Sequence, residues 1–171
     1  MKRELRVMVG IPASGKSTWI KEEVAALQRE QKTSKVISRD VIRFSMLKDE
    51  DEYFVHEEQV FVEFVRQINE ALNSDVNAVF VDATHISKGS RIKLLSKLNP
   101  PENTELIFEV MDTPLEECLA RNATRTGRAC VPETAIRNMA AGFKIPNEDE
   151  LFKYTNNNTF AKSTINFHRK E

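Results

Sequence analysis

The sequence predicts a three-layer α/β/α fold around a parallel sheet of four to five strands. Three observations predict it. Short apolar runs alternate with helix-length segments, the pattern of successive βαβ units. The first apolar run leads directly into Gly10-Ile11-Pro12-Ala13-Ser14-Gly15-Lys16-Ser17, which fits the phosphate-binding pattern G-x-x-x-x-G-K-[ST]. Two later runs end in chemically competent groups, Arg39-Asp40 and Asp82-Ala83-Thr84. In open α/β sheets the carboxyl ends of the strands are where ligands bind.

Taken in order, Leu5–Val9 reads as a short buried strand and Thr18 to about Arg29 as a helix whose first turn starts at the lysine. That strand–loop–helix context is what the loop motif requires. Gly10 and Gly15 let the chain turn tightly, so that successive N–H groups converge on an anion in front of a positive helix end. Pro12, Ala13, Ser14 and Thr18 complete the cradle, Lys16 reaches the β- and γ-phosphates, and the Ser17 hydroxyl ligates magnesium. ATP and Mg2+ are the cofactors this loop implies.

Lys35–Ser38 is a second strand and Val41–Lys48 a short helix. Glu52–Leu72 reads as the longest helix, with Val60, Phe61, Phe64, Val65, Ile68 and Leu72 on one core-facing stripe. Ala78–Val81 is near-continuously apolar, as a strand covered on both faces should be. Ser87 caps a helix running to about Leu98, whose lysines are expected in solvent, and Asn99-Pro100-Pro101 ends it. Leu106–Val110 is a fourth strand, and Asp112-Thr113-Pro114 opens the following helix. A basic, glycine-containing segment, about 121–132, reads as a small helical lid, and Pro132 starts a last helix to about Ala141. The tail from Lys144 is acidic and then asparagine-rich; Ser163–Phe167 is a candidate fifth strand, with partial disorder the alternative.

The totals bound the possibilities. With 171 residues, 40% hydrophobic and 30% charged, one soluble domain with its own core is expected. A formal net charge of -1 excludes a global basic field, so any nucleic-acid contact must be local. Cys118 and Cys130 form no metal-binding spacing and read as reduced thiols of a cytoplasmic protein. No signal peptide and no membrane span are expected.

Phosphoryl transfer needs a group that deprotonates the acceptor and positive charge on the moving phosphoryl. Asp40 is placed to be the general base, and Arg43, three residues on, to hold the acceptor or the phosphoryl group. Asp82 is placed to support magnesium, directly or through water. Its context is Asp-Ala-Thr rather than Asp-Glu, which favours transfer over hydrolysis. Arg125 and Arg128, in the basic segment that begins with Arg121, are placed to close over the phosphates. Plainer roles compete: Asp40 as a helix cap, Arg43 in a surface ion pair, and the three arginines as a solvated face. His85, beside Thr84, is the histidine of interest, with a structural role favoured.

GIPASGKST, SRDVIR, VDAT and RNATRTGRACVP together resemble the kinase domains of polynucleotide 5′-hydroxyl kinases, the bacteriophage end-healing kinase above all, over roughly Arg6 to Phe143. The resemblance implies an adenylate-kinase-like P-loop fold with Asp40 as general base on the 5′-hydroxyl and Arg43 on the reacting groups. It implies further that Arg39 and Thr84 grip the acceptor's own phosphate, and that Asp82 is a second acid of the acceptor site. Arg125 matches the lid arginine on the donor phosphates with Arg121 nearby, and Val131 an apolar residue packed on the acceptor base. Two positions depart from the family pattern. His85 stands where asparagine is frequent, and the Arg125–Val131 interval is one residue longer than in the phage enzyme. No D-x-D-x-T phosphatase signature is present, so the kinase module alone is expected.

The resulting expectation is an ATP-dependent kinase acting on a hydroxyl, with a 5′-OH end of RNA or DNA favoured and contacts limited to terminal nucleotides. The alternatives are a P-loop kinase of a small metabolite, antibiotic, nucleotide sugar or aminoacyl-tRNA, and a regulatory ATPase without an acceptor. Acceptor, donor base and oligomeric state stay open. Replacing Lys16 by alanine should abolish turnover and weaken triphosphate binding, since one desolvated cation faces the β- and γ-phosphates. ATP titration and steady-state assay check this, and full turnover by the variant would end the phosphate-loop reading.

Overall fold

The computed structural model describes residues 1–169. Five parallel strands lie in the order β2-β3-β1-β4-β5: β1 Arg3–Val9, β2 Ser34–Ser38, β3 Ala78–Asp82, β4 Thr104–Met111 and β5 Lys162–His168. Seven α-helices connect them: α1 Lys16–Arg29, α2 Arg39–Met46, α3 Glu57–Leu72, α4 Lys88–Leu95, α5 Leu115–Ala123, α6 Glu133–Ala141 and α7 Glu148–Asn156. A 3-10 turn at Gly127–Ala129 sits between α5 and α6.

Alternation along the strands divides the core. Leu5, Val7 and Val9 of β1, with Val79, Val81, Leu106, Phe108 and Val110, face α3, α4 and α7. Met8, Phe80 and Met111 face α1 through Ile20, Leu27 and Trp19. The three layers follow, and the central strands are apolar throughout because both faces are covered. The predicted α3 stripe is the buried one: Val60, Phe64, Ile68 and Leu72 are all fully enclosed, and Phe61 and Val65 pack beside them.

Three expectations change. The long helix begins at Glu57, not Glu52, because residues 53–56 form a turn that lays Tyr53 against Phe44 and Phe54. Tertiary contact overrides local helix preference there. Helix α6 is not the last. Asn147 caps α7 by accepting from the Glu150 N–H at 2.9 Å, and three acidic residues occupy its first turn, where the helix dipole favours them. The tail is ordered through β5, which pairs along β4 from Glu105↔Lys162 to Met111↔His168.

An ion pair hidden from sequence reading ties α7 to the fold. Arg91 of α4 is 1% exposed and Glu150 of α7 is 2% exposed. They bond in the two-pronged manner, Nε to Oε1 at 2.8 Å and Nη2 to Oε2 at 2.9 Å. Arg91 Nη1 also donates to the His85 carbonyl at 2.8 Å, and the Tyr154 hydroxyl donates to Glu150 Oε1 at 2.9 Å. Lys88, Lys93 and Lys97 of the same region are exposed, as expected.

Arg91→Met leaves the Glu150 carboxylate buried without its cation and should cost about 3–5 kcal/mol, whereas the Arg91→Met/Glu150→Met pair should cost less than the single change. Urea denaturation of both variants measures this. A single variant within about 1 kcal/mol of the parent would show that the pair does not anchor α7.

Candidate active site

Register puts the chemistry in one place. Ser38 pairs with Asp82 across β2 and β3, and Val7 lies level with Val81 and Phe108. The chain therefore leaves β1, β2 and β3 at one height, with the phosphate loop flanked by Arg39-Asp40 and Asp82-Ala83-Thr84. A single cleft of about 370 Å³ opens there, lined by both groups. That size suits a small-ligand site, typically about 300–1,000 Å³.

The loop has the backbone its glycines predict. Gly15 stands at φ 98°, open to glycine and strained for other residues, and Ala13 also adopts positive φ, at 61°. A Cβ on Gly10 would lie 2.6 Å from Ser14 Oγ, so no side chain fits between the loop and its own serine. The Gly10 N–H donates to the Thr84 carbonyl at 2.9 Å, fastening the loop to the end of β3. Lys16 donates to the carbonyls of Gly10 at 3.0 Å and Ile11 at 2.8 Å. Burial pulls its ammonium down to about 8, against the raising effect of Asp82 and Asp40. An anion in the loop would favour the charged form again.

Ser17 donates its hydroxyl hydrogen to Asp82 Oδ2 at 2.9 Å. Burial pushes the Asp82 carboxyl up, while Ser17 and Lys16 hold it down. A hydroxyl and a carboxylate side by side form the oxygen-donor set that suits a magnesium ion. Pro12, Ala13, Gly15 and Thr18 line the cleft beside them, and Ser14 is buried behind.

On the β2 side of the cleft, Ser38 caps α2 by accepting from the Val41 N–H. Asp40 is therefore not the cap, and its side chain stays 58% exposed toward the cleft. Its Oδ1 accepts from Arg43 Nη1 and, at 2.8 Å, from the Tyr53 hydroxyl. Arg43 is buried and gripped from the other side by Glu57, Nε to Oε1 at 2.6 Å and Nη2 to Oε2 at 3.0 Å. Burial alone would raise the Glu57 carboxyl, but the Arg43 hydrogen bonds and the charges of Arg43 and Arg39 outweigh it and hold it low. Arg39 shares Glu57 at 3.2 Å and lies over the rings of Phe61 and Phe64. Thr84 and Val131 also line the cleft.

The basic segment divides. Arg125 lines the cleft wall. Arg128, also at the wall, donates to the carbonyls of Lys48 and Asp49 and so ties the 3-10 turn to the segment after α2. Arg121 belongs to the last turn of α5, pairs with Glu117, and reaches the phosphate loop at the Ala13 carbonyl, 3.4 Å.

A family model described as an AAA domain matches residues 5–146. The chain belongs to this AAA domain family. Solved structures share its P-loop kinase-like fold. A sugar kinase from Janibacter superposes with TM-score 0.61 at 17% identity, over 100% of this chain and 88% of that one. Kti12 from Chaetomium thermophilum, in complex with ADP-AlF3, gives 0.63 at 15%, over 98% and 90%. A chain of the Pnkp1/Rnl/Hen1 RNA repair complex gives 0.66 at 24% over 82% of this chain, which spans only 44% of that longer one. No curated protein sequence matches significantly. Among the described residues no helix of this AAA domain chain is long and apolar enough to cross a membrane.

Sequence reading did not single out Tyr53 or Glu57. Both lie in a stretch that looks like ordinary polar helix surface, and their partners are ten or more positions away. His85 does not line the cleft. Its Nδ1 lies 2.8 Å from the Met8 carbonyl, its ring stacks on Phe64, and its Nε2 is buried with no hydrogen-bond partner among the described residues.

Burial pulls the His85 imidazole down to about 4, helped by the charges of Arg39, Lys16 and Arg91 and opposed by its bond to Met8. The unfolded chain then binds a proton at this residue that the folded chain refuses, between the unperturbed histidine value of about 6.5 and about 4. Stability should fall as pH drops through that window, by a slope approaching about 1.4 kcal/mol per pH unit from this residue. His85→Asn should remove that contribution. Urea denaturation at pH 7, 6 and 5 compares the slopes, and identical slopes would overturn the reading.

Proposed function

We propose that this chain is an ATP-dependent phosphotransferase whose acceptor is a hydroxyl, the 5′-OH end of RNA or DNA being the favoured one. A single observation carries the reading: the Asp40 carboxylate opens into the same cleft as the phosphate loop, fixed by a buried arginine. A nucleotide switch has no use for a prepared carboxylate on the acceptor side.

In this reading Lys16 and the loop N–H groups hold the donor phosphates. Magnesium, where bound by Ser17 and Asp82, spreads the charge developing on those phosphates. Asp40 takes the acceptor's proton as its oxygen attacks the γ-phosphorus and the bond to the β-phosphate oxygen breaks. Arg43 and Arg125 supply positive charge around the moving phosphoryl, and Arg39 and Thr84 hold the acceptor beside the base. Val131 offers an apolar contact for the acceptor base. Such fixed charges gain strength in a cleft that sheds water on binding.

The RNA repair complex among the structural neighbours supports a nucleic-acid end. The sugar kinase and a gluconokinase from Sinorhizobium meliloti support a second reading, a kinase of a small polyol or metabolite. A net charge of -1 suits that reading as well, because a small acceptor needs no basic track.

Asp40→Asn should leave ATP binding intact and lower phosphoryl transfer by about 10²–10⁴, the usual contribution of a general base. Labelled ATP offered to 5′-hydroxyl RNA, 5′-hydroxyl DNA and a panel of small alcohols makes the test. Label on polynucleotides supports the favoured acceptor, and label on small alcohols alone transfers the assignment to the second reading. ATP hydrolysis without label on any acceptor, equal in the parent and Asp40→Asn, would replace both with a regulatory ATPase.

A further inference from the structure

Tyr53 lies outside every sequence motif, at the start of the turn before α3. Its hydroxyl receives a hydrogen from Arg43 Nη1 at 3.0 Å and gives its own to Asp40 Oδ1 at 2.8 Å. Only a group that both donates and accepts can stand there, since arginine donates only and an ionised carboxylate accepts only. Arg43 Nη1 donates to the same Asp40 oxygen. Two hydrogens therefore converge on Oδ1, and Oδ2 takes no side-chain hydrogen bond from the described residues. The carboxylate is 58% exposed while Arg43 is 7% exposed, so the open side of Asp40 is its cleft side.

We propose that Tyr53 is a positioning residue for the general base. Its hydroxyl, with Arg43, holds Asp40 by Oδ1 so that Oδ2 is the oxygen that takes the acceptor's proton. The inference rests on the phosphotransferase reading of the cleft. In the step itself the acceptor O–H proton passes to Oδ2, the acceptor oxygen bonds to the γ-phosphorus, and ADP leaves with the electrons of the broken bond. Oδ1 keeps its two hydrogen bonds throughout.

The ring secures the hydroxyl. It lies under the Arg43 guanidinium at 4.6 Å and edge-on to Phe44 at 5.9 Å and Phe54 at 4.6 Å. A phenylalanine keeps these ring contacts and removes only the oxygen. Burial and the adjacent Asp40 charge push the phenol up to about 12, so it remains a donor across the neutral range.

The test is Tyr53→Phe in the full chain, with labelled ATP and whichever hydroxyl acceptor the parent uses best. The expected result is a kcat lowered about tenfold, part of the 10²–10⁴ that a general base contributes. KM for ATP and for the acceptor should stay within about twofold, and the thermal midpoint should not change, because an interaction that acts on the transition state alone moves kcat and not KM. An unchanged kcat overturns the proposal. So does a lower kcat accompanied by a raised KM for ATP or a lower melting midpoint, since that pattern marks general loosening of the turn. If the parent transfers phosphate to no hydroxyl, the phosphotransferase reading fails and this inference with it. An active parent with an indifferent Tyr53→Phe overturns the inference alone.

Discussion

Parallel register is the constraint on which the site depends. Three strands that leave the sheet at the same height, β1 into the phosphate loop, β2 into Arg39-Asp40 and β3 into Asp82-Ala83-Thr84, bring together groups separated by more than sixty positions. Sliding β2 by one residue would turn Ile37 out of the core and carry Asp40 with it, because strand side chains alternate between faces. Burial of the apolar face thus also positions the edge that carries the candidate site. The bond from the Gly10 N–H to the Thr84 carbonyl fixes the same height from the loop side.

Charge is arranged against that edge in layers. Lys16, Asp82 and Arg43 are each largely buried, and each has a partner within hydrogen-bond reach. Buried charge is tolerated only on those terms. Behind them, Glu57 grips Arg43 with both oxygens, and Arg43 and Tyr53 together hold Asp40. The outermost group, the Asp40 carboxylate, is the one left open to the cleft. A chain whose formal net charge is -1 thereby gathers Lys16, Arg39, Arg43, Arg125 and Arg128 around one cleft.

The structural role of the tail is a second consequence of buried charge. Arg91 and Glu150 join α4 to α7, and the Arg91 bond to the His85 carbonyl carries that brace to the segment directly after Thr84. Helix α7, although remote in sequence from every motif, is thereby braced to the segment that follows Thr84, a residue of the cleft lining. His85, behind the cleft rather than in its lining, reaches the Met8 carbonyl in the neighbouring strand and so links β1 to the segment after β3.

The sequence by itself determined the layered parallel fold, the phosphate loop, and the two strand ends that carry Asp40 and Asp82. These are local signals. Period-2 and period-3.6 burial, glycines at a strained turn, and an acid at the end of an apolar run are all written within a dozen neighbouring residues. Only the tertiary structure decided that Arg121 bonds the Ala13 carbonyl of the loop while Arg125 lines the cleft. It alone decided that Arg91 is buried, that residues 53–56 turn rather than extend α3, and that Tyr53 and Glu57 hold the Asp40–Arg43 pair. The physical reason is common to all of these. A side chain's partner across a fold is set by the packing of whole elements, and the distance along the chain between Arg91 and Glu150, or Arg43 and Glu57, leaves no periodic trace by which to read it.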